Sequence, residues 1–294
     1  MIRSCVVVGG GGAVGTLFVR RLLEAGREVC VVDTAGPGEE WADGAPRPRH
    51  VRGDITEAGT RKEAGLGRAD LVLLALPEQV ALDALPHLAG ELRPGALLAE
   101  TLSVKQPMAA LMEKYPGVET LGLNPMFAPS LGFEGRPVAA VVRHGGPLAE
   151  ELLGLVESWG STVVRVDAAE HDRLAGASQA LTHAAVLAFG TALAGFGPTA
   201  GELRDIAPPP HRTLLALLAR VLSGAPEVYW DVQYANPEAP AARRALADGI
   251  RRLATVVEEG AEDDFGALLD ELRDYLGPDL AHHRDVCARL FGMT

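Results

Sequence analysis

Lysine is nearly absent from this 294-residue chain: Lys62, Lys105 and Lys114 are the only three among 27 basic residues. With a formal net charge of −12, the chain lacks the clustered cations that a phosphate backbone requires, which excludes nucleic acid as a partner. Cysteine is scarce as well. Cys5, Cys30 and Cys287 have no metal-ligand spacing, and the first two fall in apolar segments where cysteine behaves as a small hydrophobe. No apolar run reaches the roughly 18 residues needed to span a bilayer. The start, MIRSCVVVGGGG, has neither the long apolar stretch nor the cleavage site of a secretory signal. These absences lead to the expectation of a cytoplasmic protein with no membrane partner. Hydrophobic residues make up 48% of the chain, enough for a substantial core in one large domain or two ordinary ones.

The first half alternates short apolar runs with helical patterns. Strands are expected at Ser4–Val8, Glu28–Asp33, Leu71–Leu76, Ala96–Glu100, Glu119–Leu123, Val138–Arg143 and Val163–Val166. Apolar residues recur at helical spacing over Val14–Ala25, with Gly26 as a stop signal, and over Leu148–Trp159. Nearly continuous apolar strands separated by helices imply a parallel sheet covered on both faces. Beyond about Ala168 the strand signals vanish. Helical patterns run through Asp172–Ala194, Thr213–Leu222, Ala241–Glu259, Asp264–Tyr275 and Asp279–Phe291, interrupted by the proline-rich loop Ala207–Pro210. The expected fold is α/β followed by all-α: a Rossmann-type doubly wound domain at 1–167 and a helical substrate and dimerisation domain at 168–294.

Directly after the first strand, Gly10-Gly11-Gly12-Ala13-Val14-Gly15 fits G-x-G-x-x-G. Gly10 is expected to allow the tight turn, Gly12 to let the backbone approach a pyrophosphate, and Gly15 to let the helix pack against the strand. Amides at the helix start, Ala13 and Val14 among them, then face the diphosphate. The bare motif is weak evidence, but here it lies between strand and helix, and Asp33 ends the next strand. An acid at that point hydrogen-bonds ribose hydroxyls and repels a 2′-phosphate, so the expected cofactor is NAD. Leu76 and Pro77, at the end of the third strand, are expected to pass beside it.

Two later strand ends carry unusual polar residues: Glu100-Thr101-Leu102-Ser103-Val104-Lys105-Gln106-Pro107 and Gly122-Leu123-Asn124-Pro125-Met126-Phe127-Ala128-Pro129. Further on come Glu170-His171-Asp172, Gln179-Ala180-Leu181-Thr182-His183, and Arg212 with Arg220. In this order and spacing, across almost the whole chain, the sequence resembles the prephenate dehydrogenase family. The resemblance implies an NAD-linked oxidative decarboxylation. Hydride leaves C4 of a 1-carboxycyclohexa-2,5-diene, the ring carboxylate leaves as carbon dioxide, and aromatisation drives the step. It implies that Ser103 contacts the ring substituent, with Lys105 nearby, and that Arg220, supported by Arg212, grips the carboxylate of a dianionic substrate. It places Gln179 and His183 on a helix face toward the cleft, and makes His171 a family histidine; partners within a helical core and a surface group are the plain alternatives. It also implies a homodimer formed through the helical domain.

One position departs from the family pattern. Ordinary members carry histidine before Pro-Met-Phe, where it accepts the C4 hydroxyl proton as hydride leaves; this chain has Asn124. Asparagine accepts a hydrogen bond through its amide oxygen but is no base near neutral pH. An amine at C4 removes the need for a base, because its lone pair can expel hydride directly. This favours the 4-amino-4-deoxyprephenate branch of the family, giving 4-aminophenylpyruvate, with prephenate itself, giving 4-hydroxyphenylpyruvate for tyrosine, as the alternative. The related 3-hydroxyacid and 6-phosphogluconate-type dehydrogenases need a lysine in the second domain, and none follows Lys114. A non-catalytic NAD-binding regulatory protein is the alternative from another class, and the presence of Ser103, Lys105 and Arg220 argues against it.

Overall fold

The structure, a computed structural model, describes residues 1–35 and 46–292. The chain divides into two compact units, Met1–Ala175 and Gly176–Thr294. The first is built on an eight-stranded sheet: β1 Ser4–Val8, β2 Glu28–Asp33, β3 Arg49–Arg52, β4 Leu71–Leu74, β5 Leu97–Glu100, β6 Glu119–Pro125, β7 Pro137–His144 and β8 Thr162–Arg165. Their order is β3-β2-β1-β4-β5-β6-β7-β8. The helices between them are α1 Ala13–Glu24, α2 Ala58–Ala64, α3 Glu78–Ala89, α4 Gln106–Met112 and α5 Pro147–Ser158, and α6 Ala168–Ala175 follows β8.

Alternation along the strands explains why both faces are covered. Cys5, Val7, Val29, Val31, Leu71, Leu73, Leu97, Leu121 and Leu123 point to one side, where Phe18 and Leu22 of α1 and Leu148, Leu152 and Val156 of α5 meet them. Val6, Val8, Cys30, Val32, Val72, Leu74 and Leu98 point to the other, against Leu85 and Leu88 of α3 and Met108 and Met112 of α4. Burial on both faces is why these strands are apolar throughout. Sequence reading misses the short β3, whose exposed Arg49 and Arg52 hide the pattern. It also misjudges one direction: β7 runs antiparallel to β6, with Asn124 opposite Ala139. The turn through Pro129–Leu131 and Gly132 between them is too short for the crossover that a parallel partner needs. The break after Ala175 lies beyond the expected Asp167, because α6 packs against α4 and β7.

The second unit opens on a turn of π-helix, Gly176–Ala180, and continues through α7 Leu181–Phe196, α8 Ala200–Leu203, α9 Pro209–Leu222, α10 Pro226–Tyr234, α11 Ala239–Glu259, α12 Glu262–Leu276 and α13 Leu280–Phe291. The π turn interrupts what the sequence presents as one helix, and α10 is an addition to the expected set. Gly176 permits a close approach by α11's start: a Cβ there meets the Glu238 Cβ at 2.6 Å. Gln233 of α10 donates to the Ala180 carbonyl at 2.7 Å. The helical stretch Ala168–Phe196, 29 residues, is by length and composition apolar enough to cross a bilayer, against the expectation that no such run exists. Much of its apolar surface is open, as is that of the helices after it: Phe196, Leu222, Trp230, Tyr234 and Tyr275 are all exposed.

One buried ion pair joins the ends of β5 and β6. Glu100 and Lys105 are both about 1% exposed, and Lys105 Nζ lies 2.9 and 2.8 Å from the two Glu100 oxygens and 2.7 Å from the Leu123 carbonyl. Three ammonium protons thus meet three acceptors. Burial pushes Glu100 up and Lys105 down, and their mutual attraction opposes both shifts. Gly122 makes room for the pair, since a Cβ there falls 2.3 Å from Glu100 Oε1. Removing one partner strands the other in the interior, so Lys105→Ala is expected to cost about 3–5 kcal/mol of unfolding free energy. The double variant Glu100→Leu with Lys105→Met should recover most of that loss. Urea denaturation reads both, and a Lys105→Ala loss under about 1 kcal/mol defeats the assignment of a structural pair.

Candidate active site

The strand order reverses between β1 and β4, and the carboxyl ends of those strands are where open α/β sheets hold ligands. The glycine loop lies there, with its tasks distributed differently from the sequence expectation. Gly9, not Gly10, has the left-handed backbone (φ +76°), and a Cβ on it would meet the Ala75 carbonyl at 2.2 Å. Gly10 is needed for contact instead, since a Cβ there runs into the Val31 side chain at 2.7 Å. Gly15 sits over the loop, its position barring any Cβ by 2.2 Å from the Gly9 carbonyl. Gly12 has more room, a Cβ there lying 3.4 Å from the Gly9 carbonyl, and it precedes the first turn of α1 without a side-chain cap. The amides of Ala13 and Val14 open that helix, where no backbone acceptor within it can reach them.

Asp33 ends β2 beside this loop. One carboxylate oxygen accepts the Gly11 amide at 3.0 Å and the other the Ala35 amide at 2.9 Å. The side chain is half-buried, with lone pairs left for another donor. Leu76 is half-buried and Pro77 exposed in the segment after β4, which is two residues shorter than the sequence pattern suggests. An open amide-lined turn at a helix start, followed by an acid at the next strand end, fits a dinucleotide's diphosphate and ribose.

A second cluster forms at the ends of β5 and β6. Ser103 is half-exposed between the buried Leu102 and Val104, and its hydroxyl makes no hydrogen bond among the described residues. Lys105 follows, but its ammonium is consumed by Glu100 and the Leu123 carbonyl, so it offers no proton to a ligand. Lys105, expected near the ring substituent, thus turns its ammonium inward. Asn124 is 3% exposed, and its Nδ2 lies 3.1 Å from His171 Nε2. His171, on α6, is buried at 2% and not a surface group; its Nδ1 lies 2.8 Å from Asp172 Oδ1. Asp172 accepts the Lys105 amide at 2.8 Å through Oδ1 and the Gln106 amide at 2.9 Å through Oδ2. Burial by itself lifts the Asp172 carboxyl, but the His171, Gln106 and Lys105 hydrogen bonds outweigh it and hold it below the usual range. Ser103, Asn124 and His171 are therefore tied to one frame.

Glu100 and Asp172 were not singled out from the sequence, although a signal existed. A carboxylate that closes an apolar strand must be answered by a cation or by amides.

In the second unit, His183 of α7 stands edge-on to Tyr229, ring centroids 5.0 Å apart. Burial first, and the Arg220 charge second, push its imidazole down, so Arg220 acts on it from nearby. His183 Nδ1 is buried without a hydrogen-bond partner among the described residues. Arg220 and Arg212 on α9 are both exposed, and Arg220 forms no ion pair among the described residues. Gln179 is half-buried in the π turn.

Comparison with known proteins agrees with this layout. Residues 6–101 match the TrkA-N domain, and residues 167–271 match the prephenate dehydrogenase dimerization domain. Over 288 residues the chain is 54% identical to the 4-amino-4-deoxyprephenate dehydrogenase of Streptomyces pristinaespiralis, covering 98% of this chain and 96% of that protein. It is 29% identical to the T-protein of Haemophilus influenzae over 94% of this chain and 68% of that one. The crystal structure of prephenate dehydrogenase from A. aeolicus in complex with hydroxyphenyl propionate and NAD+ matches with a TM-score of 0.72 at 17% identity, covering 94% of this chain and 97% of that one. Synechocystis arogenate dehydrogenase matches with a TM-score of 0.62 at 18% identity, covering 92% and 98%. These two likenesses establish the fold, and the 54% identity over nearly the full length establishes more: the chain belongs to the prephenate dehydrogenase family.

Proposed function

We propose that this dehydrogenase catalyses the NAD-dependent oxidative decarboxylation of 4-amino-4-deoxyprephenate to 4-aminophenylpyruvate. The observation that carries the substrate choice is Asn124 at the end of β6, where the family pattern has histidine. Bound NAD supplies the hydride acceptor. In the substrate, the C4 nitrogen lone pair expels hydride, and the electron pair of the breaking C1–carboxylate bond then flows through the ring, leaving an aryl amine and carbon dioxide. No base is required along that route, and Asn124 provides none. Ser103 offers a free hydroxyl to the ring substituent. Arg220, with Arg212 on the same helix, supplies positive charge for the ring carboxylate, and the lowered basicity of His183 keeps that imidazole neutral beside Arg220. The name of the 54% identical relative supports the same substrate.

The amino substrate is expected to be oxidised with at least about a hundredfold higher kcat/KM than prephenate, the scale of lost general-base assistance. Asn124→His should raise prephenate turnover while the amino substrate gains little. Steady-state kinetics with both compounds decide the matter, and preference for prephenate by the unmodified enzyme refutes the assignment.

Cofactor choice rests on Asp33, beside the ribose end of the proposed site. NAD should be favoured over NADP by at least about tenfold, because a 2′-phosphate there faces a fixed carboxylate. Asp33→Ala removes the repulsion and should erode the preference, and equal use of both cofactors by the unmodified enzyme overturns it.

A homodimer formed through the helical unit accounts for that unit's open apolar surface, which a lone helical array keeps in water at a cost. Light scattering on the full chain should report about 62 kDa, twice the chain mass of 30.9 kDa. A monomer at micromolar concentration speaks against it.

A further inference from the structure

The Asn124 amide has a donor end and an acceptor end, and its surroundings decide which one faces outward. Nδ2 lies 3.1 Å from His171 Nε2. Oδ1 has no partner among the described residues, yet it is not one of the polar atoms sealed from solvent. A neutral imidazole carries one ring proton, and the nitrogen without it can only accept. His171 Nδ1 lies 2.8 Å from Asp172 Oδ1, a carboxylate that can only accept, so the proton belongs on Nδ1 and Nε2 presents a bare lone pair. That lone pair calls for a donor, which fixes Nδ2 inward and Oδ1 outward. Asp172 is itself immobile, because Oδ1 also receives the Lys105 amide and Oδ2 the Gln106 amide.

We infer that Asp172 is a positioning residue for substrate choice: through the His171 tautomer it holds Asn124 with the amide oxygen toward the site. This rests on the reading that Asn124 faces C4. An outward oxygen takes an N–H of a neutral amine and leaves the nitrogen lone pair free to expel hydride. The reversed amide would instead donate N–H into that lone pair and withdraw the electrons the reaction needs. Asn124 thus matches the amine only in one of its two orientations, and Asp172 sets which.

The test reads the ring directly. Nitrogen-15 NMR on the full-length enzyme with NAD and no substrate, at about pH 8.5 where imidazole is in general neutral, should show His171 protonated at Nδ1 with a bare Nε2. Asp172→Ala removes the acceptor that faces Nδ1, and the ring should lose its Nδ1–H preference, with the Nε2–H tautomer rising. With the amino substrate, kcat should then fall about tenfold or more, the scale of one misplaced buried hydrogen bond. The KM for NAD should stay within about twofold, since the glycine loop is untouched. A wild-type His171 protonated at Nε2 overturns the inference, as does a variant that keeps Nδ1–H or one that changes tautomer with kcat intact. Should Asp172→Ala fail to fold, the wild-type tautomer alone decides. Preference for prephenate would refute the substrate assignment and leave this ring measurement unchanged, so the two failures are separable.

Discussion

A charge buried in a protein must be answered on every lone pair or proton it carries, and the site end of this sheet follows from that constraint. Glu100 closes a strand whose other residues are apolar and fully buried. Its ion-pair partner is Lys105, which folds back into the interior instead of reaching outward. Lys105 lies two residues after Ser103, and its third proton reaches the Leu123 carbonyl, one residue before Asn124. Two strand ends are thereby held at fixed separation by a single ammonium.

Asp172 repeats the device with amides instead of a cation. Two of its hydrogen bonds fix Lys105 and Gln106 on the loop after Ser103, and another reaches His171, which meets Asn124. The loop bearing Ser103 and the strand end bearing Asn124 are thus fixed from two independent sides. Satisfied polar networks in a low-dielectric interior are stiff, because each member's departure exposes another's unmet valence. Stiffness of this kind suits a reaction whose driving force lies in the substrate's own aromatisation. The protein's task is then placement of C4 and its substituent, and small errors of placement are costly.

Much of this was legible in the sequence, for reasons that differ by residue. The strands at the sheet centre are apolar on both faces, so β1, β2, β5 and β6 were readable within a residue or two. Arg49 and Arg52 at the edge were not, because an edge strand need bury only one side. The glycine turn was recognised by its spacing, but spacing cannot tell which glycine bends and which merely clears a side chain. That distinction depends on Ala75 and Val31, residues from other strands. Lys105 shows the limit most clearly. Its rarity and its place between Ser103 and the helix start made it look like a working group, and only the nearness of Glu100 and the Leu123 carbonyl reveals a strut. Asn124 was read for its chemistry, and the fold adds the constraint on its orientation.

Specificity in such a frame can change through one side chain without disturbing the rest. Histidine and asparagine both offer a hydrogen-bond acceptor from a similar distance along the side chain, but only the imidazole can leave with a proton. Around position 124 the demands are local: a donor toward His171 Nε2 and an acceptor toward the site. An amide meets both at once, as does an imidazole with one protonated nitrogen. Asparagine at 124 therefore joins the Asp172 network as it stands while lacking the basicity of an imidazole. A substrate with its own electron push tolerates that loss, and the family's fold and cofactor turn can serve it without alteration.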